Sequence, residues 1–280
     1  MKLALTSFSY HLRFGRHWFR PEQPCELQWY CERSAALGLD GLHIDPWHVN
    51  IDNDIDWLVE FGEQKHMYLE LGWAGVSAEA MLLGIDVASR LGSPLIRTFV
   101  GGPCTADRIA TSRRASEAKE QISRSLDFAE KSGVRIALEN HQDMFLEDFL
   151  NILELDSPYL GVCYDNGNFA AMGEDPVAAL HALAGRVFSC HLKDVLPAEK
   201  FPDAVPFGLE RVHFGALGEG NAPLKTIVDT MKGVQGDDAR ITLNIHTPFH
   251  RNLEEKALLK CEEDNVEKSV TYARKVLKIK

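Results

Sequence analysis

The chain has 280 residues, 45% hydrophobic and 25% charged, which suits one α/β barrel or two small domains with a sizeable core. Its formal net charge of −11 argues against a nucleic-acid partner, because phosphate binding needs clustered Lys and Arg and no basic run occurs. No stretch approaches the roughly 18 apolar residues of a membrane span, so no membrane partner is expected.

The opening MKLALTSFSYHLRF is too polar after Leu5 for a signal-peptide core. Six cysteines, Cys25, Cys31, Cys104, Cys163, Cys190 and Cys261, are scattered without a CxxC pair. Cys163 and Cys190 sit in apolar runs, where a reduced thiol packs as a small hydrophobe. A reduced, cytoplasmic setting is therefore expected.

Along the chain, short β-rich runs alternate with longer amphipathic ones. Strands are predicted over 3–10, 41–45, 67–73, 94–102, 135–141, 160–168, 187–194 and 240–248. Helical patterns occupy 26–39, 78–92, 112–133, 175–185 and 250–279. Gly38, Gly92, Gly133 and Gly185 stand where left-handed helix caps are expected. Strict βα alternation predicts a parallel sheet, and eight units point to a closed (β/α)₈ TIM barrel as one domain over 1–280. A doubly wound open sheet is the weaker option, since no glycine-rich phosphate loop follows the first strand. The segment 195–221 reads as a long irregular loop at the C-terminal end of the seventh strand, which is the active-site face of a barrel.

Alternation along a strand sorts the late strands into faces. Ala137, Glu139 and His141 share one face, as do Cys163 with Asp165, Ser189 with His191 and Lys193, and Thr242 with Asn244 and His246. The opposite faces are mostly aliphatic. Two carboxylates and an imidazole converging on one mouth suggest a single divalent cation. The oxygen-rich set favours Mn²⁺ first, with Mg²⁺, Co²⁺ or Zn²⁺ as alternatives.

ALENH at 137–141, YDNGN at 164–168, HLKD at 191–194 and LGEG at 217–220 resemble the xylose isomerase-like sugar isomerase/epimerase superfamily, over nearly the whole chain. The resemblance implies that Glu139, Asp165 and His191 are metal ligands and that Glu139 doubles as an acid/base. The superfamily's fourth ligand is a Glu on the eighth strand. Here that strand offers His246, or Asn244 in its place. Without the second Glu, a two-base epimerisation loses a partner, and His141, His246 or Lys193 is left to move the other proton.

The expected function is a divalent-metal-dependent isomerase or epimerase of a sugar, keto-sugar or polyol, working by proton transfer through an enediolate. A lyase or dehydratase on the same site is the alternative. A barrel that only binds its ligand is another, and an endonuclease IV-like repair enzyme is the least favoured. For Glu139 and Asp165 the plain alternative is a buried ion pair or cap. For His191 it is a satisfied core histidine, and for Lys193 a surface pair with Asp194. His43, Trp47, Arg211 and His213 are candidate substrate contacts. Glu70 and Arg97 read as a structural lumen ion pair, Glu219 as a residue ordering the long loop, and His11, Trp18 and Phe19 as a lid. Acidic barrels with exposed outer helices often pair, so a homo-oligomer is also expected.

Overall fold

The computed structural model describes the chain except residues 17–18, 51–52, 198, 200–202, 206–207, 210–211 and 280. Arg211 and Trp18 thus lie outside the described residues. Eight parallel strands close into a barrel: β1 (Lys2–Thr6), β2 (Gly41–Ile44), β3 (Tyr68–Gly72), β4 (Leu95–Thr98), β5 (Arg135–Glu139), β6 (Leu160–Asp165), β7 (Val187–Leu192) and β11 (Arg240–Leu243). β11 is the eighth barrel strand and closes the ring between β7 and β1. Among the described residues, no helix is long and apolar enough to cross a membrane.

Each barrel strand stops short of its predicted end. The chain leaves the ladder at Glu139, Asp165, Leu192 and Leu243, where ionisable side chains begin. Two asparagines extend the pairing past those ends. Asn140 donates to the Asp165 carbonyl and accepts from the Asp165 N–H, both at 2.7 Å. Asn166 does the same for Lys193, at 2.8 and 2.9 Å. A side-chain amide carries the same donor and acceptor as a peptide, so these residues stitch β5 to β6 and β6 to β7 where the backbone turns away.

The predicted faces are observed. Ile136, Leu138, Val162, Tyr164, Cys190, Leu192, Ile241 and Leu243 face the helix layer and join the main core, while Ala137, Cys163 and Leu95 pack together in the lumen. All six cysteines are unpaired.

The helix layer includes α1 (Leu27–Ala36), α2 (Ile55–Lys65), α3 (Ala78–Leu91), α4 (Arg108–Ser123), α5 (Leu126–Ser132), α6 (Leu146–Leu153), α7 (Asn166–Ala171), α8 (Pro176–Leu183), α9 (Leu224–Gln235) and α10 (Glu255–Lys275). The single pattern over 112–133 is two helices, broken around Arg124 and Ser125. Gly38, Gly92 and Gly133 take the left-handed cap, but Gly185 does not; it lies in a 3₁₀ turn over Ala184–Arg186.

The segment 195–221, expected to be irregular, carries short strands among its described residues. β8 (Asp194–Pro197) pairs antiparallel with β10 (Val212–Gly215), and β9 (Ala204–Val205) pairs with β12 (Phe249–His250). The organiser is Asp194. Its Oδ1 accepts from the Val195 and Ala222 amides, and its Oδ2 from the Gly218 and Gly220 amides, at 2.8–3.1 Å. A Cβ on Gly220 would lie 2.4 Å from that carboxylate, which explains why the LGEG turn ends in glycine. Glu219, expected to order this loop, instead pairs with Lys268 at the surface, 2.9 Å away.

Candidate metal centre and reaction cavity

Glu139 and Asp165 end β5 and β6, His191 is the last residue but one of the neighbouring β7, and register sets Asp165 directly beside His191. All three are buried, and one ligand atom from each lies within 4.8 Å of the others. His191 Nδ1 is 3.4 Å from Glu139 Oε1 and 3.7 Å from Asp165 Oδ2. Ligands held about 2.1 Å from one ion lie roughly 3–3.5 Å apart, so the cluster is close to coordination spacing. The donor set, two carboxylates and a neutral-capable imidazole, fits a divalent cation.

The electrostatics point the same way. Burial raises the Glu139 pKa, but Arg97, His191 and Lys193 outweigh it and hold the carboxyl well below the usual range. Burial disfavours charging His191, yet Cys163, Glu139 and Asp165 overcome it and draw its pKa well above the ordinary imidazole value. A site that pulls a proton onto a buried histidine is short of positive charge.

Asn244 stands beside this cluster. Its Nδ2 lies 3.2 Å from His191 Nδ1, and its Oδ1 faces His246 Nε2 at 2.9 Å. His246, the first choice for fourth ligand, is not one of the three clustered residues and lies 2.9 Å from Asn244. Past Leu243 the chain no longer follows the strand.

Asp165 has two tasks. Its Oδ1 caps α7 by accepting from the Asn168 amide at 3.0 Å, and its Oδ2 meets Lys193 Nζ at 2.9 Å. Lys193 is buried and turned inward, not paired with Asp194 at the surface. Gly167 lets it in, since a Cβ there would lie 2.8 Å from Lys193 Cδ. Asn168, which sequence reasoning passed over, joins the groups: it donates to Glu139 Oε1 at 3.3 Å and accepts from Lys193 Nζ at 3.3 Å and Gln142 Nε2 at 3.4 Å.

A cavity of about 220 Å³ opens above the cluster, walled by Phe8, Asp45, Trp47, Arg97, Phe99, Glu139, His141, Gln142, Asn168, Lys193, Asn244 and His246. It is smaller than the ~300–1,000 Å³ of drug-sized sites, which suits a molecule of a few carbons. His141 stacks on Phe99 with ring centroids 5.0 Å apart. Trp47 lines the wall. His43 and His213 do not. His43 is fully buried beneath the cavity, and His213 sits on β10 in a separate small cavity with Phe214 and Phe249. His11 is buried against Thr247 and packs on Phe8, and Phe19 leans on Phe249, so this part of the first loop lies against the segment after β11.

Arg97 does not pair with Glu70. It bonds Asp45 closely, donates to His43 Nε2 at 3.1 Å and lies 3.4 Å from Glu139 Oε2. Glu70 is met instead by Arg240 at 3.0 Å and Ser189 at 3.2 Å. The lumen placement of Arg97 was expected and its partner was not; Ala137, its register neighbour on β5, has a small side chain that leaves room for the guanidinium.

Residues 70–261 match the family model of the xylose isomerase-like TIM barrel. The chain belongs to that family. A curated relative, the 3-oxo-isoapionate decarboxylase of Pectobacterium atrosepticum, is 29% identical over 199 residues, 69% of either chain. Among solved xylose isomerase-like barrels, the IOLI protein with a bound zinc atom aligns at TM-score 0.72 and 16% identity, over 97% of this chain and 98% of that one. The probable 3-DHS dehydratase of Bacillus anthracis aligns at 0.68 and 18%, over 94% and 98%. An L-ribulose 3-epimerase aligns at 0.67 and 14%, over 99% and 97%. At such identities the structural likeness shows the fold. The names span epimerase, dehydratase and decarboxylase, and a general sugar-modifying role fits this chain.

Proposed function

We propose that the protein is a divalent-metal-dependent lyase that removes CO₂ from a short 3-oxo sugar acid. The observation that carries this reading is Asn244. An amide, which cannot carry a proton, stands where a two-base epimerase needs its second acid, leaving Glu139 as the one carboxylate available to the reaction. Asp45 also reaches the wall but is engaged by Arg97, Thr6, Ser7 and the Phe8 amide.

Decarboxylation fits a site short of bases. The bond to the carboxyl carbon breaks, its electron pair moves onto the 3-keto oxygen, CO₂ leaves, and one proton is delivered to the carbon left behind. Glu139, Asp165, His191 and Asn244 would hold the ion, whose charge would draw electrons toward the keto oxygen. Lys193, fixed by Asp165 and Asn168, supplies a positive charge beside the developing oxyanion. His141 and His246 line opposite stretches of the wall as proton donors for the product carbon. The charge balance supports an anionic substrate. Arg97, Lys193 and Arg240 face Asp45, Glu70, Glu139 and Asp165, one carboxylate in excess among the described residues. A divalent ion turns that into one net positive charge, the complement of a monoanion. The 29% identical relative, named for a 3-oxo acid decarboxylase, adds weight.

A second reading, isomerase or epimerase of a neutral keto-sugar, gains support from His246, a proton carrier 2.9 Å from Asn244. One assay separates them. The Mn²⁺-loaded protein is given a 3-oxo sugar acid generated in situ, and separately a panel of ketoses, in D₂O. The proposal predicts CO₂ release with one deuterium placed in the product and no isomerised ketose. Ketose turnover without CO₂ release would overturn it.

A further inference from the structure

A polar line runs down the lumen beneath the cavity: Arg97, His43, Glu70, Arg240. A guanidinium has only donors, so the contact of Arg97 Nε with His43 Nε2 at 3.1 Å fixes Nε2 as a bare acceptor. The remaining ring proton of a neutral His43 is then on Nδ1, which faces Glu70 Oε2 at 3.6 Å. Glu70 is held in turn by Ser189 Oγ at 3.2 Å and by Arg240 Nη1 at 3.0 Å, the latter reaching in from the N-terminal end of β11. His43 and Glu70 are fully buried, so neither can exchange these partners for water. The line ends at the top in the two Nη atoms of Arg97, one against Asp45 and one 3.4 Å from Glu139 Oε2, in the wall of the cavity.

We propose that Arg97 is the side chain that selects a carboxylate-bearing substrate, and that His43 and Glu70 are positioning residues that fix its guanidinium edge toward the cavity. The substrate-class part rests on the lyase reading; the positioning part rests on the contacts alone. Asp45 and Glu139 take one contact from each Nη, which leaves one N–H on each for an anionic oxygen. Lysine in the same place would supply a point charge without the fork, and would have no Nε to anchor on His43.

The test uses two stable four-carbon probes that differ at one end, threonate with a carboxylate and threitol with a hydroxymethyl group, titrated calorimetrically into the Mn²⁺-loaded full-length protein. Wild type is expected to bind threonate at least about tenfold more tightly than threitol, the worth of a charge-assisted contact. Arg97→Gln should erase that preference while threitol affinity moves less than about threefold. Should Arg97→Gln fail to fold, Arg97→Lys reads the same difference, with a threonate loss of about tenfold or more and threitol unchanged. His43→Phe removes the acceptor and should weaken threonate selectively, and His43→Gln, which keeps an acceptor oxygen, should restore it. Metal content, measured alongside, stays at the wild-type value in all four. No preference in wild type, or a preference that survives at Arg97→Gln or Arg97→Lys, would overturn the selector role. Wild-type threonate affinity in His43→Phe, or no rescue by His43→Gln, would overturn the positioning role. Because these are binding readouts, they stand even where the D₂O assay shows no CO₂ release, so the two failures are distinguishable.

Discussion

The rim of the barrel and the middle of its lumen hold the same kinds of side chain, yet their charges are matched differently. In the middle, Glu70 has Arg240, Ser189 and His43 around it. At the rim, Glu139 and Asp165 share Lys193 and one edge of Arg97, and a buried histidine is drawn toward a proton to make up the deficit. A buried carboxylate is structural or functional according to the fixed cations around it, not its depth. A matched carboxylate is finished, and an unmatched one is a place for an ion.

The comparison can be broken at either level. The largest effect is expected at the rim: Glu139→Gln should lower kcat/KM by about 10²–10⁴-fold, as loss of an acid/base and ligand does, while thermal stability holds or rises. Equal activity would show that Glu139 is as structural as Glu70. Asp194→Ala removes the acceptor of four backbone amides that shape the rim hairpin, and should cost about 3 kcal/mol of unfolding free energy in denaturant titrations. A change under about 0.5 kcal/mol would mean that the hairpin holds without it.

Asn244→Ala should weaken metal affinity about 10–100-fold, whereas His246→Ala should leave metal affinity near wild type and reduce turnover. The reverse ranking, read from metal titrations and rates together, would return His246 to the ion. The smallest effect lies away from both regions. Burial pushes the Glu262 carboxyl up to about 8, against the Leu12 and Arg13 amides that bond its two oxygens. Its folded pKa exceeds its unfolded one, so its contribution is fully present below about pH 4.5 and is lost as pH rises through 8. A decline across that window is expected, and Glu262→Gln should flatten it. An unchanged slope in the variant would locate the titration elsewhere.

Much of this was legible in the chain. The βα rhythm predicted the closed barrel, and period-two alternation placed Glu139, Asp165, His191 and Lys193 in the lumen, because those side chains lie on or next to regular strand. Legibility failed where the strands end. Asn244 and His246 lie past Leu243, so alternation could not rank them, and it is the turn of the chain that sets Asn244 beside His191. The partners of Arg97 were illegible for another reason: β4 neighbours β3 and β5 in the ring, but its long side chain crosses the lumen to Asp45 and His43 at the end of β2, a choice made by three-dimensional space. The 195–221 hairpin was read as irregular because its strands are short and its order depends on the single carboxylate of Asp194.

Elemental analysis of the chelated and reloaded protein decides whether the rim cluster holds a divalent ion. One ion per chain in the wild type, lost in Asp165→Asn with the fold intact by circular dichroism, is the result expected. No ion under any loading condition, or the same stoichiometry in wild type and Asp165→Asn, would contradict it.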